Sequence, residues 1–354
     1  MKNLSIIMEN LRYGKWMKTY NEFFLFIALA TMIALAVQIV LYKFYRQMFI
    51  GGTSYLMTGV TGSQDYAFDS TSGYKLRPNI SDHNRSIFTD ENGFRIESRE
   101  MQTTQKMRKI IIVGDSCVFG WGVKGNQTYA SRLNSSKALQ ELNLSIINAG
   151  VPSYSLLNLI ARIEQLLLDE EFELMIVSVL WPYAPNDVID GKIDFNAYRD
   201  LLSQRNQKQK FLSCHICRLF RDIFKRFKYK KFVNGKMTRP GVRDWNFSED
   251  QESKLANYYA EMLIDLKNKF EAMGKRITFM IHPYSYTLFP PYENLGIIGH
   301  QIIVQKLNAL DFRYKLGKIL SSPNGYFIDG SHLTEQGHRL FAQIIQDEII
   351  SKNF

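Results

Sequence analysis

The sequence predicts an α/β fold of three layers, in which helices cover both faces of a mainly parallel sheet, together with one N-terminal transmembrane helix. Three observations predict it. From Lys109 onward, short apolar runs rich in β-branched residues alternate with segments typical of helices. Polar residues follow several of these runs directly, where parallel sheets place their sites. Near the start, Phe23–Leu41 is a stretch of nineteen residues without a charge.

The composition is that of a globular protein with one unusual segment. Of the 354 residues, 45% are hydrophobic and 22% are charged, which excludes a disordered, collagen-like or polytopic membrane chain. Three cysteines are too few for a disulfide scaffold. The net charge of +10 is concentrated in Ser203–Arg243, where thirteen Lys and Arg face only Asp222, giving that segment +12 and the rest of the chain −2. The basicity is therefore local.

The uncharged stretch predicts a membrane anchor. As a helix it is about 28 Å long, close to the roughly 30 Å hydrocarbon core of a bilayer. Four basic residues precede it and two follow it, after which no Lys or Arg occurs until Lys75. This bias predicts a cytoplasmic N-terminus and a periplasmic or otherwise extracytoplasmic remainder. A cleaved signal peptide and a buried core helix are the alternatives, but the run ends in bulky residues such as Leu41 and Tyr42.

The remaining chain divides by pattern. We expect residues 1–22 to be cytoplasmic, 23–42 to span the membrane, 43–108 to form a stalk and lead-in segment, and 109–350 to form the α/β domain, with a basic insertion at about 190–247. Gly51–Ser72 is rich in Gly, Ser and Thr and predicts little regular structure. The predicted strands are 109–114, 145–150, 173–181, 276–282 and a short one at 326–328. The predicted helices are 128–139, 155–170, 248–274, 301–320 and 334–350.

Residues able to perform nucleophilic catalysis lie just after these strands. Ser116 follows the first strand, and a serine hydroxyl needs a neighbouring base to become a nucleophile. Asp329 and His332 follow the last strand at a spacing that lets the carboxylate hold the imidazole in one tautomer. Gly150 ends the second strand and offers a backbone N–H, while Asn186 follows the third and offers a side-chain amide.

In this order the four segments resemble the SGNH hydrolases, also called the GDSL esterase/lipase superfamily, which have a flavodoxin-like three-layer fold. The resemblance covers roughly 109–350 without the insertion. It implies a triad of Ser116, His332 and Asp329, an oxyanion hole made by the Ser116 and Gly150 N–H groups with the Asn186 amide, and no metal or organic cofactor. The third segment departs from the family's Gly-x-Asn-Asp, because it reads Ala-Pro-Asn-Asp over 184–187.

Several other reactive residues have alternative interpretations. His282 follows the fourth strand and is either a substrate contact or a hydrogen-bonded structural histidine. His338 is expected on the final helix rather than as the base, and Cys117 as a small buried residue. Cys214 and Cys217 have the spacing of a redox motif but lack the strand that precedes such motifs; a disulfide between them is open, and a metal site is not expected.

The insertion contains an amphipathic helix. Six apolar residues recur at helical spacing on one face: Ile216, Leu219, Phe220, Ile223, Phe224 and Phe227. Basic side chains occupy much of the rest. The segment is either a lid packed on the core or a helix lying on the membrane surface or on a membrane partner. Nucleic acid is not an expected partner, because the predicted topology places the segment outside the cytoplasm.

Together, the anchor and the resemblance imply a membrane-tethered serine esterase or acyltransferase that acts on acylated glycans, or on small esters, through an acyl-enzyme at Ser116. Family members with one N-terminal anchor resemble partners of membrane-bound O-acyltransferases, as in alginate O-acetylation and lipoteichoic acid D-alanylation. Two alternatives stay open: a non-catalytic scaffold or glycan-binding subunit of such a complex, and a lipase at the membrane surface.

Overall fold

The computed structural model describes residues 65–98, 107–181, 248–288, 296–322 and 324–354, with a few helical positions between 25 and 36. Most of the predicted transmembrane helix, the segment around Asn186, and the basic insertion with Cys214 and Cys217 lie outside the described residues. In the part described, no helix combines the length and the apolar character needed to cross a bilayer. The anchor stays a prediction from the sequence.

The lead-in segment holds more regular structure than its composition predicts. Five short strands lie between residues 66 and 96: β1 (Tyr66–Asp69), β2 (Gly73–Leu76), β3 (Ser81–Asp82), β4 (Ile87–Thr89) and β5 (Arg95–Ile96). The first two form an antiparallel hairpin, whose turn is closed by the Asp69 carboxylate accepting the Thr71 and Ser72 N–H groups at 3.0 and 2.8 Å. The other three are antiparallel strands of the main sheet, which therefore begins before Lys109. Strands of two to four residues are too short to show an alternating pattern.

Five parallel strands form the rest of the sheet: β6 (Arg108–Gly114), β7 (Leu144–Gly150), β8 (Leu174–Leu180), β9 (Ile277–His282) and β10 (Leu310–Asp311). The order across the sheet is β10-β9-β8-β6-β7-β5-β4-β3. The first five are parallel, and β5 pairs antiparallel with β7 through Arg95 opposite Asn148. The predicted mainly parallel sheet is confirmed, and β6 to β9 agree with the sequence to within a residue.

The helices pack on both faces of this sheet. They are α1 (Ser116–Phe119), α2 (Tyr129–Asn134), α3 (Lys137–Glu141), α4 (Leu156–Asp169), α5 (Glu249–Ala272), α6 (Ile297–Leu307), α7 (Phe312–Ile319), α8 (Glu335–Ile345) and α9 (Ser351–Asn353). A π-helical turn, Gln346–Ile350, joins the last two. Ser155 and Ser248 begin α4 and α5 as capping boxes, each accepting the N–H three residues ahead.

The predicted helix over 301–320 is wrong as a single element. α6 ends at Leu307, and Asn308 adopts a left-handed backbone with φ of 49°. The chain then pairs with β9 as β10 before α7 begins, and the Asp311 carboxylate caps that helix by accepting the Tyr314 N–H at 3.0 Å. A favourable cap in mid-segment is what ends one helix and begins another. The predicted helix over 128–139 is likewise divided, into α2 and α3.

The predicted strand at 326–328 is reduced to a single bridge. Phe327 pairs with Leu333, and the Ile328 N–H donates to the His332 carbonyl at 2.7 Å. The intervening residues form a narrow loop, 329–332, that we call the base loop. The bridge closes this loop and α8 begins shortly after it at Glu335, so the position of the loop depends on contacts from other elements.

The core confirms the three layers. Alternate residues of β6 face opposite sides: Ile111 and Val113 pack in one apolar cluster with residues of α4, α5 and α6. Ile110 and Ile112 pack in the other with residues of α2, α7 and α8. All four side chains are fully buried, and each contributes on the order of 1.5–3 kcal/mol to folding. The sheet between these clusters places the ends of β6, β7 and β9 at one edge.

Candidate active site

The nucleophile candidate begins a helix at the end of β6. Asp115 is the N-cap of α1, and its carboxylate accepts the Cys117 N–H at 2.8 Å, which makes Ser116 the first helical residue. Burial raises the pKa of Asp115. A side chain at Gly114 would place its Cβ 2.3 Å from Val118, so glycine is needed for the strand to turn so sharply into the helix. The first N–H groups of a helix have no intrahelical acceptor, so the Ser116 N–H is suited to face an anion.

The base loop completes a hydrogen-bonded chain with Ser116. His332 Nε2 lies 2.8 Å from Ser116 Oγ, and His332 Nδ1 lies 2.8 Å from Asp329 Oδ2. With its Nδ1 proton donated to the carboxylate, the imidazole directs the Nε2 lone pair at the hydroxyl. The other oxygen of Asp329 accepts the Ser331 and His332 N–H groups, both at 2.9 Å. The structure thus brings Ser116 together with Asp329 and His332, which lie more than 200 residues later in the sequence.

Asp329 is held in its ionised form. Burial by itself raises the pKa of this carboxyl, but the hydrogen bond and charge of His332 and the two backbone N–H groups outweigh that effect. The pKa falls to about 2. The carboxylate can therefore hold the imidazole tautomer and stabilise the imidazolium that forms when His332 accepts a proton.

His282 supports the base loop from behind. It is 1% exposed, and its Nε2 donates to the Ser331 carbonyl at 2.8 Å. Two bonds from Ser285 act on the same loop: its N–H donates to the Gly330 carbonyl at 2.7 Å and its Oγ to the Asp329 carbonyl at 3.0 Å. Burial lowers the pKa of His282 to about 4, so the ring is neutral at pH 7. The substrate-contact interpretation is corrected, because this side chain is buried and hydrogen-bonded to the loop.

The other two minor candidates lie in the core. His338 is on α8 and 1% exposed, and its Nδ1 accepts the Tyr129 N–H at 3.2 Å. Burial lowers its pKa well below the ordinary range. Cys117 is also 1% exposed, and burial raises the pKa of its thiol well above the usual value. Neither residue is placed to act as a base or nucleophile.

Gly150 has a packing role that its predicted role did not include. Its N–H donates to Asn148 Oδ1 at 3.1 Å, while Asn148 Nδ2 donates to the Val118 carbonyl at 3.0 Å. This N–H is therefore engaged within the protein rather than offered to an oxyanion. A Cβ at this position would lie 2.2 Å from the Phe119 nitrogen, so only glycine lets β7 approach α1 so closely. Asn186, the other oxyanion candidate, lies outside the described residues.

The loop after Gly150 contains a strained residue. Ser153 is exposed and has φ of 69°, a left-handed backbone that costs a residue with a side chain about 1–3 kcal/mol. The loop is held by the β1–β2 hairpin, since Tyr74 Oη donates to the Pro152 carbonyl at 3.1 Å and Tyr154 Oη donates to the Tyr74 carbonyl at 2.6 Å. The lead-in segment thus supports this side of the site, and nothing in its sequence pattern indicates it.

Trp121 lies beside the catalytic imidazole candidate. Its ring centre is 5.9 Å from that of His332 with an interplanar angle of 31°. The flanking Gly120 and Gly122 both have positive φ, of 82° and 88°, which turns the chain so that the indole reaches the base loop. The Gly-Trp-Gly segment that begins four residues after the nucleophile is the sequence signal that could have identified this residue.

Among the described residues, no group of three or more His, Cys, Asp or Glu side chains could hold a metal ion. An acyl carbon placed near Ser116 Oγ would meet a nucleophile that is hydrogen-bonded to a base, which is in turn hydrogen-bonded to an ionised carboxylate.

Comparison with known proteins gives similarities to solved structures. Residues amounting to 69% of this chain match 98% of a lipolytic protein of the G-D-S-L family from Veillonella parvula, with 12% identity and a TM-score of 0.38. The esterase EstA from a Pseudoalteromonas species matches 69% of this chain over 98% of its own, with 14% identity and a TM-score of 0.39. The acetyl xylan esterase AlAXEase matches 68% of this chain over 99% of its own, with 14% identity and a TM-score of 0.38.

No protein-family model and no curated protein matches this chain. Structural similarities with TM-scores below 0.5 do not decide the chemistry, which rests on the geometry of the site itself.

Proposed function

We propose that this protein is a serine esterase or acyltransferase of the SGNH type. One observation carries the proposal: Ser116 Oγ, His332 Nε2, His332 Nδ1 and Asp329 Oδ2 form a continuous hydrogen-bonded chain at the carboxyl edge of the sheet, with both links at 2.8 Å. A structural serine has no need of a base held by a partly buried carboxylate. The resemblance of the sequence segments to SGNH hydrolases supports the same assignment.

The proposed reaction proceeds through an acyl-enzyme. Ser116 Oγ attacks the acyl carbonyl while His332 takes the hydroxyl proton, and the Ser116 N–H stabilises the developing oxyanion. The C–O bond to the alcohol breaks as His332 returns the proton to the leaving oxygen. Water or an acceptor hydroxyl, deprotonated by His332, then attacks the acyl carbon; the bond from that carbon to Ser116 Oγ breaks, and His332 returns the proton to the serine. By the family resemblance the Asn186 amide is a second oxyanion donor.

The proposed setting is the outer face of a membrane. We infer a single-pass protein with a cytoplasmic N-terminus and an extracytoplasmic catalytic domain, from the uncharged run Phe23–Leu41 and the basic residues that precede it. The proposed substrates are acyl groups on extracytoplasmic glycans, with acetyl the favoured group, and the proposed partner is a membrane-bound O-acyltransferase. These finer assignments rest on the sequence and on the resemblance to singly anchored family members.

A fluorophosphonate probe tests the chemistry. Wild-type protein should be labelled at Ser116 and should hydrolyse a small acetyl ester, whereas Ser116→Ala should be unlabelled and lose several orders of magnitude in turnover. If Ser116→Ala turns over the ester as fast as wild type, the scaffold interpretation replaces the enzymatic one. Adding an acetylated donor together with an acceptor glycan separates transfer from hydrolysis, because transfer moves the acetyl group to the glycan instead of releasing acetate.

The topology is tested separately. Protease added to spheroplasts should digest the domain that follows Lys109, while an N-terminal tag stays protected. Complete protection of the domain would contradict the proposed location without affecting the proposed chemistry.

A further inference from the structure

A buried arginine from the lead-in segment donates hydrogen bonds to the end of the helix that bears the nucleophile candidate. Arg95 lies on β5 and is 4% exposed. Its Nη1 donates to the carbonyls of Phe119 and Gly120 at 2.5 and 2.8 Å. Its Nη2 donates to the carbonyls of Val123 and Ser86 at 2.8 and 3.3 Å. Three of these four acceptors belong to α1 or to the turn that follows it.

These carbonyls are the groups that a helix end leaves without partners. The last carbonyls of α1 have no intrahelical donor, and a cation complements their partial negative charge. The planar guanidinium can bond several carbonyls at once, which a lysine ammonium cannot do with the same geometry. The guanidinium carbon also lies 4.2 Å from the centre of the Phe119 ring, which adds a cation–π contact. Arg95 therefore fits the end of α1 both in shape and in charge.

Burying the Arg95 guanidinium here costs free energy, and its bonds to the α1 carbonyls must offset that cost. Over the described ranges, Arg95 bonds carbonyls and pairs with no carboxylate, and burying a charge without a counter-ion costs free energy. Burial lowers the pKa of Arg95 to about 9, so the side chain remains charged at neutral pH. A buried apolar residue would fill the same space at lower cost, but it would leave the α1 carbonyls without donors.

The hydrogen bonds of Arg95 act on Ser116 through the turn at the end of α1. The Ser116 carbonyl accepts the N–H groups of Gly120 and Trp121 at 3.1 and 3.0 Å. The carbonyls that Arg95 holds thus belong to the same turn that fixes Ser116 and that directs Trp121 toward His332. Gly120 has no room for a side chain, because a Cβ there would lie 2.5 Å from Thr128 and 3.2 Å from Arg95 Nη1.

We propose that Arg95 is a positioning residue for the nucleophile: through the carbonyls of Phe119, Gly120 and Val123 it sets the distance between Ser116 Oγ and His332 Nε2. This rests on the proposed esterase or acyltransferase function. It makes the antiparallel strands β3 to β5 part of the catalytic unit rather than a lead-in to it.

The test compares two buried arginines. Arg162 on α4 is 6% exposed, lies over the Phe94 ring and bonds Gln165, so its loss removes a similar side chain whose hydrogen bond goes to Gln165 instead of the α1 carbonyls. Arg95→Met should lower kcat on a small acetyl ester by about 10²-fold with KM nearly unchanged, the effect of a misplaced reacting atom. Arg95→Lys should recover little of this loss. Arg162→Met should lower the melting temperature comparably and leave kcat within about twofold of wild type.

A second readout is independent of overall stability. The rate of fluorophosphonate labelling at Ser116, measured below the melting temperature of each variant, should fall with kcat in Arg95→Met and Arg95→Lys. Millimolar guanidinium should restore part of the rate to Arg95→Ala, whose short side chain leaves the guanidinium's space open, and none to Ser116→Ala. If Arg95→Met does not fold, Arg95→Lys, which keeps the charge, supplies the comparison.

The outcomes separate this proposal from the proposed function. Labelling of both Arg95 variants at the wild-type rate would overturn the positioning role alone. So would an equal loss of kcat in Arg162→Met, because the effect would then be one of stability. Failure of wild type to react with the probe at all would overturn the proposed function, and the role of Arg95 with it.

Discussion

The two halves of the site are supported in opposite ways. The turn that bears Ser116 is held by a charged side chain, Arg95, from an antiparallel strand. The base loop is held by neutral groups, His282 and Ser285, at the end of a parallel strand. The difference follows the charge that each half develops. In the proposed reaction, negative charge forms at the acyl oxygen beside Ser116, where a cation does no harm, whereas His332 becomes an imidazolium that a charged His282 would repel.

This comparison predicts that the largest loss of activity follows a change of the Asp329 carboxylate in the base loop. Asp329→Asn should lower kcat by about 10⁴-fold, because the amide favours the wrong tautomer of His332. Since the amide can keep the fold of the loop, the melting temperature should change much less than the activity. Steady-state kinetics and calorimetry on the same preparation measure both. A loss below tenfold would show that Asp329 only supports the loop.

A smaller effect is expected when the neutral support is removed. His282→Phe leaves the Ser331 carbonyl with only the weak Cys117 thiol as donor, at 3.6 Å, and should lower kcat by about 10- to 100-fold through displacement of His332. His300, another buried histidine, bonds Asp311 of β10, the outermost parallel strand of the sheet, and provides the control. His300→Phe should reduce stability and leave the ester kinetics of the folded protein unchanged. Equal losses of kcat in both variants would contradict a specific role for His282.

The same histidine predicts how stability depends on pH. Its pKa in the folded protein, about 4, lies below the ordinary 6.5, so the unfolded chain binds more protons between these values. The stability is complete above about pH 6.5 and declines as the pH falls toward 4, by at most about 3 kcal/mol for this one group. The buried His338 acts in the same direction, and Asp329 adds a loss between about pH 3.8 and 2. Denaturant unfolding of wild type and His282→Phe should show a shallower decline between pH 6.5 and 4 in the variant.

The smallest effect is expected at Trp121, the aromatic residue beside His332. Trp121→Ala should raise KM for an ester with a bulky alcohol by about tenfold, because it removes contact area beside His332. It should change the fluorophosphonate labelling rate less than Arg95→Met does, since the backbone of the turn is retained. Unchanged KM across alcohols of different size would show that the indole supports the loop without touching substrate.

Much of this architecture is determined by the sequence alone. The strands β6 to β9 carry apolar runs long enough to identify, and Ser155 and Ser248 begin their helices with recognisable caps. Ser116, Asp329 and His332 could be predicted because parallel strands bring the residues that follow them to one edge of the sheet. Local pattern and sheet topology together were sufficient for these.

Only the tertiary structure decided the rest, because the deciding contacts have no local pattern. The strands β3 to β5 are two or three residues long, and they join the main sheet through the pairing of β5 with β7, where Arg95 lies opposite Asn148. Arg95 pairs with backbone carbonyls, which any sequence supplies, and His282 bonds a carbonyl in the same way. The N–H of Gly150 is engaged by Asn148 only because both are packed against α1. Side chains that bond to backbone leave no complementary residue in the sequence, so their partners become visible only in three dimensions.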